Sequence, residues 1–198
     1  MNKKIIIFDF DWVIIDSFEF HRKKVEKFAN IKLDKQIYKD MHNWNFFNSI
    51  PEEIKHINWW KYAEYIYEEI ILLEIDKEIK KSLLDLSKNY KLHIISSGWT
   101  KAISNYLKNN EIDFVFYEIL GWDIHNSKIE KFKMIFKKYN INSEKCTFVT
   151  DTLWDILEAN KVWVKTFAVD FGYHNRKTLQ KANPYKIISS FDELLKEF

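Results

Sequence analysis

At 198 residues, with 46% hydrophobic and 30% charged residues and a net charge of +2, the chain has the make-up of one globular domain, or of one domain with a small insertion. That length can bury a core. Its lysines and glutamates are interspersed, which excludes nucleic acid or an anionic membrane surface as the main partner. A single cysteine, Cys146, excludes a disulfide framework and a cysteine zinc site, and no apolar run has transmembrane length. Lys3-Lys4 lead straight into the first apolar run without a signal peptide, so a reducing cytoplasm is the expected compartment.

The run Ile5-Ile6-Ile7-Phe8 reads as a strand over 4–9 buried on both faces. Asp9-Phe10-Asp11 follows it. Carboxylates at i and i+2 of a strand point the same way and repel each other unless a cation sits between them. Mg²⁺ suits such a pair, since it takes hard oxygen ligands and usually accepts one or two carboxylates plus phosphate oxygens. The C-terminal end of a parallel strand is also where open α/β sheets place ligands.

Ser17 is positioned to cap a helix carrying Phe18, Val25 and Phe28 on one side. The pattern stays helical to about residue 74, with Ile66, Ile70 and Leu73 at helical spacing and a break at Pro51. Aromatic residues crowd this part (Trp44, Phe46, Phe47, Trp59, Trp60, Tyr62, Tyr65 and Tyr67), which reads as a small helical insertion packed on its own apolar seam.

From residue 75 helices and strands alternate. Asp76 opens a helix with Ile79, Leu83 and Leu86, and 92–95 is a strand ending in Ser96-Ser97-Gly98. Thr100 caps a helix to about 110, and 114–119 is a strand. Ser127-Lys128-Ile129-Glu130 fits a capping box for a helix bearing Phe132, Ile135, Phe136 and Tyr139. Residues 146–150 form a strand ending at Asp151, followed by a helix to about 161, strands at 164–169 and 186–188, and a last helix to 198. The expected fold is therefore an α/β three-layer, Rossmann-like parallel sheet: a core of residues 1–16 and 75–198, with a helical insertion at 17–74.

Four stretches bring complementary polar groups to the strand ends. They are Asp9 and Asp11; Ser96 and Ser97; Lys128 at a helix start, where the dipole favours an anion; and Asp151 with Asp155 one turn on. Acids for a metal, hydroxyls and a lysine for phosphate oxygens, and a carboxylate able to attack together point to phosphoryl transfer, where catalysis is mostly positioning and charge neutralisation. The histidines His21, His42, His93, His125 and His174 show no zinc-ligand spacing and read as structural, with His21 at the insertion hinge the one candidate for substrate contact.

In order and spacing, Asp9-Phe10-Asp11, Ser96, Lys128 and Asp151-Thr152-Leu153-Trp154-Asp155 resemble the four motifs of the haloacid dehalogenase (HAD) superfamily. The long gap after the first motif resembles a C1-type cap, and Val169-Asp170-Phe171-Gly172-Tyr173-His174 resembles relatives of phosphoglycolate phosphatase and β-phosphoglucomutase. The resemblance implies a Mg²⁺-dependent phosphatase of a small phosphorylated metabolite. In it Asp9 is the nucleophile and Asp11 the general acid and base. Ser96 holds a phosphoryl oxygen with Ser97 as a neighbouring helper, Lys128 neutralises charge, and Asp9, Asp11, Asp151 and Asp155 form the metal site. Asp11 argues against dehalogenation, which needs no acid for an alkoxide. A phosphomutase of the β-phosphoglucomutase kind and a non-catalytic binding module on the same fold are the alternatives.

Tryptophan stands where this pattern places glycine, at Trp12, Trp154 and Trp163, and at natural turn-glycine positions Trp44, Trp99 and Trp122. The chain has 3 glycines and 8 tryptophans; 3 in 198 is about 1.5% glycine, against roughly 7% in ordinary proteins. These six tryptophans are therefore expected to be glycines in the native protein, encoded by UGA codons translated here as tryptophan. Restoring them would give 9 in 198, about 4.5%.

Overall fold

The computed structural model describes residues 4–40 and 52–198. Strands β1 (Ile5–Phe8), β2 (Lys91–Ile95), β3 (Phe116–Leu120), β4 (Cys146–Thr150), β5 (Lys165–Val169) and β6 (Lys186–Ile188) form one parallel sheet in the order β3-β2-β1-β4-β5-β6. All four residues of β1 are buried, as an apolar run with no polar alternation requires of a central strand. Ile6 and Phe8 face one layer, with Leu83 and Leu86 of α4 (Lys77–Ser87), Ile103 of α5 (Thr100–Asn109) and Phe191 of α9 (Phe191–Leu195). Ile5 and Ile7 face the other, with Phe132 and Ile135 of α6 (Lys128–Tyr139) and Ala159 of α7 (Leu153–Lys161). A short α8 (Arg176–Gln180) packs on α7. This is the expected three-layer α/β architecture.

Several boundaries move. β1 ends at Phe8, so Asp11 lies not on the strand but in the turn behind it, where Ile14 N donates to Phe10 O at 2.9 Å and Trp12 N to Ile15 O at 2.7 Å. β3 starts at Phe116 because Asp113–Val115 forms a 3₁₀ turn, and the last helix stops at Leu195. Asp76 caps α4 through its side chain, as expected. Ser17, Thr100 and Ser127 do not cap their helices: each hydroxyl donates instead to a carboxylate, Asp11, Asp123 and Glu158 respectively.

Between β1 and α4 lie α1 (Phe18–Ala29), α2 (Lys35–Asp40), a 3₁₀ turn (Glu52–Ile54) and α3 (Trp59–Ile70). Trp44, Phe46, Phe47 and Pro51 lie outside the described residues. Among the described residues the apolar side chains of the insertion pack into the core cluster rather than on a seam of their own. Val25, Tyr38, Tyr62 and Ile66 belong to the same buried cluster as Ile6 and Phe8, joined through Phe10, Val13, Ile14 and Phe18.

The chain runs outward from β1 to β2 and β3, then returns to β4 on the other side of β1. The connections reverse there, and a crevice opens beyond the carboxyl ends of β1 and β4. Asp9 follows β1 and Asp151 follows β4.

Candidate active site

A cavity of about 180 Å³ occupies that crevice, and Asp9, Asp11, Ser97, Lys128, Asp151 and Asp155 all line it. Asp9 is 7% exposed. Its backbone N donates to Val149 O at 2.8 Å, which extends the ladder one residue and holds the side chain over the strand ends. Lys128, the first residue of α6, donates to Asp9 Oδ2 and to Asp155 Oδ2, each at 2.6 Å. Thr150 Oγ1 donates to the same Asp155 oxygen at 2.9 Å. Burial alone would lower the Lys128 pKa, but Asp155 and Asp9 outweigh it and raise it. Burial likewise opposes charge on Asp155, yet Lys128 and the surrounding hydrogen bonds hold its pKa at about 2. Asp9 shows the reverse balance: burial pushes it well above the usual carboxylate range against the pull of Lys128, and the Asp155 charge adds to the rise.

Asp151 Oδ2 accepts from Tyr173 N at 2.7 Å, while buried Oδ1 has no hydrogen-bond partner among the described residues. Burial raises its pKa to about 7. A Cβ added at Gly172 would lie 2.4 Å from Asp151 Cβ, so only glycine lets this loop close over the carboxylate. One ammonium thus pairs with two of three buried carboxylates, and one oxygen of the third is left bare. That donor set fits a hard divalent cation. Among the described residues no three acidic, His or Cys side chains form a ready-made ligand cluster, and Asp155 turns to Lys128. Mg²⁺ accepts such a sparse set, since it keeps several waters and takes phosphate oxygens.

Asp11 faces the insertion. Ser17 Oγ donates to its Oδ1 at 2.6 Å, and His21 Nε2 lies 3.4 Å from the same oxygen, with His21 Nδ1 3.0 Å from Tyr62 OH on α3. The two serines differ. Ser96 is fully buried, its Oγ accepting from Gly98 N at 2.8 Å, whereas Ser97 is exposed and lines the cavity.

Sequence reasoning missed Lys131. It is 0% exposed and donates to Ser96 O at 2.6 Å, bracing the turn that carries both serines. Its period was visible: buried residues of α6 fall at 128, 131, 132 and 135. Burial, with the Lys128 charge, lowers its pKa from 10.5 to about 7. Between those values the unfolded chain holds a proton that the folded protein releases, so this group makes stability rise with pH across that window. Replacing it, Lys131→Met, is expected to remove that rise. Urea denaturation across the window checks it; parallel pH curves for the two proteins would contradict the burial argument.

The tryptophans divide. Among the described residues, the non-glycine positions with left-handed backbone are Asn30, Glu111, Asn140, Asn183, Trp12 (φ 62°) and Trp163 (φ 60°). Asparagine tolerates that region; an indole side chain gains nothing there. Trp163 is 85% exposed. Trp12 packs edge-on against Phe18 and Tyr173, with its Nε1 buried and unpartnered among the described residues. Trp99 (φ −78°) and Trp154, inside α7, need no glycine backbone, nor is Trp122 left-handed; all three line the cavity. Trp44 is outside the described residues.

The model of the family "Haloacid dehalogenase-like hydrolase" matches residues 6–169. A phosphoglycolate phosphatase of Photorhabdus laumondii is 28% identical over 122 residues, 60% of this chain and 52% of its own length, so the chain spans about half of that relative. Two solved structures share the fold. One is a haloacid dehalogenase-like family hydrolase from Streptococcus pneumoniae (TM-score 0.84, 20% identity, covering 99% of this chain and 98% of that one). The other is a predicted phosphatase from Clostridium acetobutylicum (TM-score 0.81, 21% identity, covering 100% and 98%). With the family model spanning most of the sequence, from β1 to the end of β5, this chain belongs to the haloacid dehalogenase-like hydrolase family.

Proposed function

We propose that the protein is a Mg²⁺-dependent phosphomonoester hydrolase that works through a phosphorylated Asp9. The observation that carries this is the bridge from Lys128 Nζ to Asp9 Oδ2 and Asp155 Oδ2, set beside the bare Oδ1 of Asp151. Asp9 attacks phosphorus; the Asp9 O–P bond forms as the ester P–O bond breaks, and Asp11 gives its proton to the leaving oxygen. Asp11 then takes a proton from water as that water attacks phosphorus. The Asp9 O–P bond breaks and orthophosphate leaves. Lys128 neutralises charge that builds on the phosphoryl oxygens, and Ser97 donates to one of them, with Ser96 and Lys131 fixing the turn behind it. A bound Mg²⁺, held by Asp9 and Asp151 with the Asp11 segment and supported by Asp155, supplies Lewis-acid stabilisation of the same oxygens. Residues 17–74 act as a cap over this site, and the substrate is a small phosphorylated metabolite.

The test is orthophosphate release from a panel of phosphomonoesters. Release is expected with Mg²⁺, lost with EDTA and restored by added Mg²⁺. Release indifferent to EDTA would remove the metal from the mechanism, and a folded protein silent on every ester would favour a binding module.

A further inference from the structure

The roof of the cavity carries information that the reacting centre does not. Its lining above Asp9 and Lys128 comes from Tyr38 of α2 and from Trp59, Tyr62, Ala63, Ile66 and Ile70 of α3. Every one of these is apolar or aromatic; His21 of α1, also on the wall, stands with Nε2 3.4 Å from Asp11 Oδ1 and Nδ1 3.0 Å from Tyr62 OH. Among the described residues that line the cavity, Lys128 is the sole lysine or arginine, and it is already paired with two carboxylates. Four basic residues of the insertion are paired elsewhere, Arg22 with Glu19 and Glu26, Lys24 with Glu69, Lys35 with Glu19, and Lys55 with Glu52, and Lys23, Lys27, Lys32, Lys39 and Lys61 do not line the cavity. The segment 41–51 contains no lysine or arginine in its sequence, so it brings no permanent cation either.

A substrate with a second anionic group, a carboxylate or another phosphate, would have to bury that charge against this roof with no free lysine or arginine to pair with it, above a floor already rich in carboxylates. An unpaired buried charge is strongly disfavoured. An apolar or aromatic leaving group instead removes its own surface and that of the roof from water. Resting on the phosphatase reading above, we propose that the reacting phosphate is carried on an uncharged, apolar or aromatic alcohol or phenol. The relative named as a phosphoglycolate phosphatase acts, by that name, on a carboxylate-bearing ester, so this chain would depart from it. This roof belongs to α2 and α3, so its chemistry is the same whether positions 12, 99, 122 and 154 carry tryptophan or glycine.

The experiment compares phenyl phosphate with 2-phosphoglycolate in Mg²⁺, on the full chain and on its Trp12→Gly variant. Alongside turnover it measures binding of the inert analogues phenylphosphonate and phosphonoacetate by calorimetry. The expected result is a preference of about 10- to 100-fold for the phenyl compounds in kcat/KM and in affinity, the range over which an apolar pocket discriminates. Ala63→Lys, which places a cation in the roof, is expected to narrow that ratio. Equal or better use of 2-phosphoglycolate, tighter binding of phosphonoacetate, or no binding of either analogue overturns the inference. A binding preference for phenylphosphonate without turnover of either ester supports it while overturning the hydrolase reading.

Discussion

Asp9→Asn is expected to lower phosphate release by on the order of 10⁴-fold or more, the scale of loss when a covalent nucleophile is removed from a preorganised site. The amide keeps the shape of the carboxylate and can still meet Lys128, but it cannot form the phosphoryl bond. The fold is expected to survive, and its stability at neutral pH to rise. The sign follows from the shift at Asp9, which burial pushes well above its ordinary 3.8. Above that ordinary value the unfolded chain has released a proton that the folded site retains, so this group lowers stability as pH climbs through the window. Asparagine removes that loss, and Lys128 keeps Asp155 as its counter-ion. Phosphate release and urea denaturation on the same preparation check both halves. A variant that folds and still turns over would remove Asp9 from the role of nucleophile.

Trp12→Gly is expected to raise kcat/KM by about 100-fold or more, the order of loss attached to a misplaced reacting group. Trp12 follows Asp11 directly, at φ 62°, and its indole lines the cavity beside the carboxylates. Left-handed backbone costs a non-glycine residue about 1–2 kcal/mol. Each edge-on aromatic contact, to Phe18 and to Tyr173, returns about 0.5–1.5 kcal/mol. These nearly cancel, so melting temperature is expected to move little and activity carries the result. Trp12→Ala separates the causes, since it removes the indole and keeps the backbone strain: recovery with alanine assigns the block to bulk, recovery with glycine alone to the backbone. The decoding hypothesis has its own check in a peptide mass spectrum of the protein from its native host. Tryptophan at residue 12 there would sink it.

Much of the site was legible because its signals are local. Asp9, Asp11 and Asp151 were marked by chemical type at strand ends and Lys128 at a helix start, and the alternation of apolar runs placed the strand ends on one edge of the sheet. The left-handed backbone at residues 12 and 163 agrees with the glycine shortage, whereas residues 99, 122 and 154 show no such backbone. What failed was hydroxyl chemistry. Ser17 and Ser127 have the type and position of helix caps and Thr100 is the first residue of its helix, after Trp99, yet each donates to a carboxylate. A charge-assisted O–H···O⁻ bond is stronger than a neutral cap, and the carboxylates for Thr100 and Ser127 arrive from 23 and 31 residues away.

By itself the sequence determined the layer architecture, the polar strand ends and the acidic excess around one lysine, since periodicity and residue type are properties of short stretches. Tertiary structure alone decided the rest. It turned Asp155 to Lys128, left Asp151 Oδ1 bare, buried Lys131 against the Ser96 carbonyl and put Ser97 rather than Ser96 on the cavity wall. It also roofed the site with residues of α2 and α3 that carry no charge. Lys128 and Asp9 meet across 119 residues of chain. Which partner a polar group takes is settled by competition among whatever the fold brings within hydrogen-bond reach, and no local pattern records that contest.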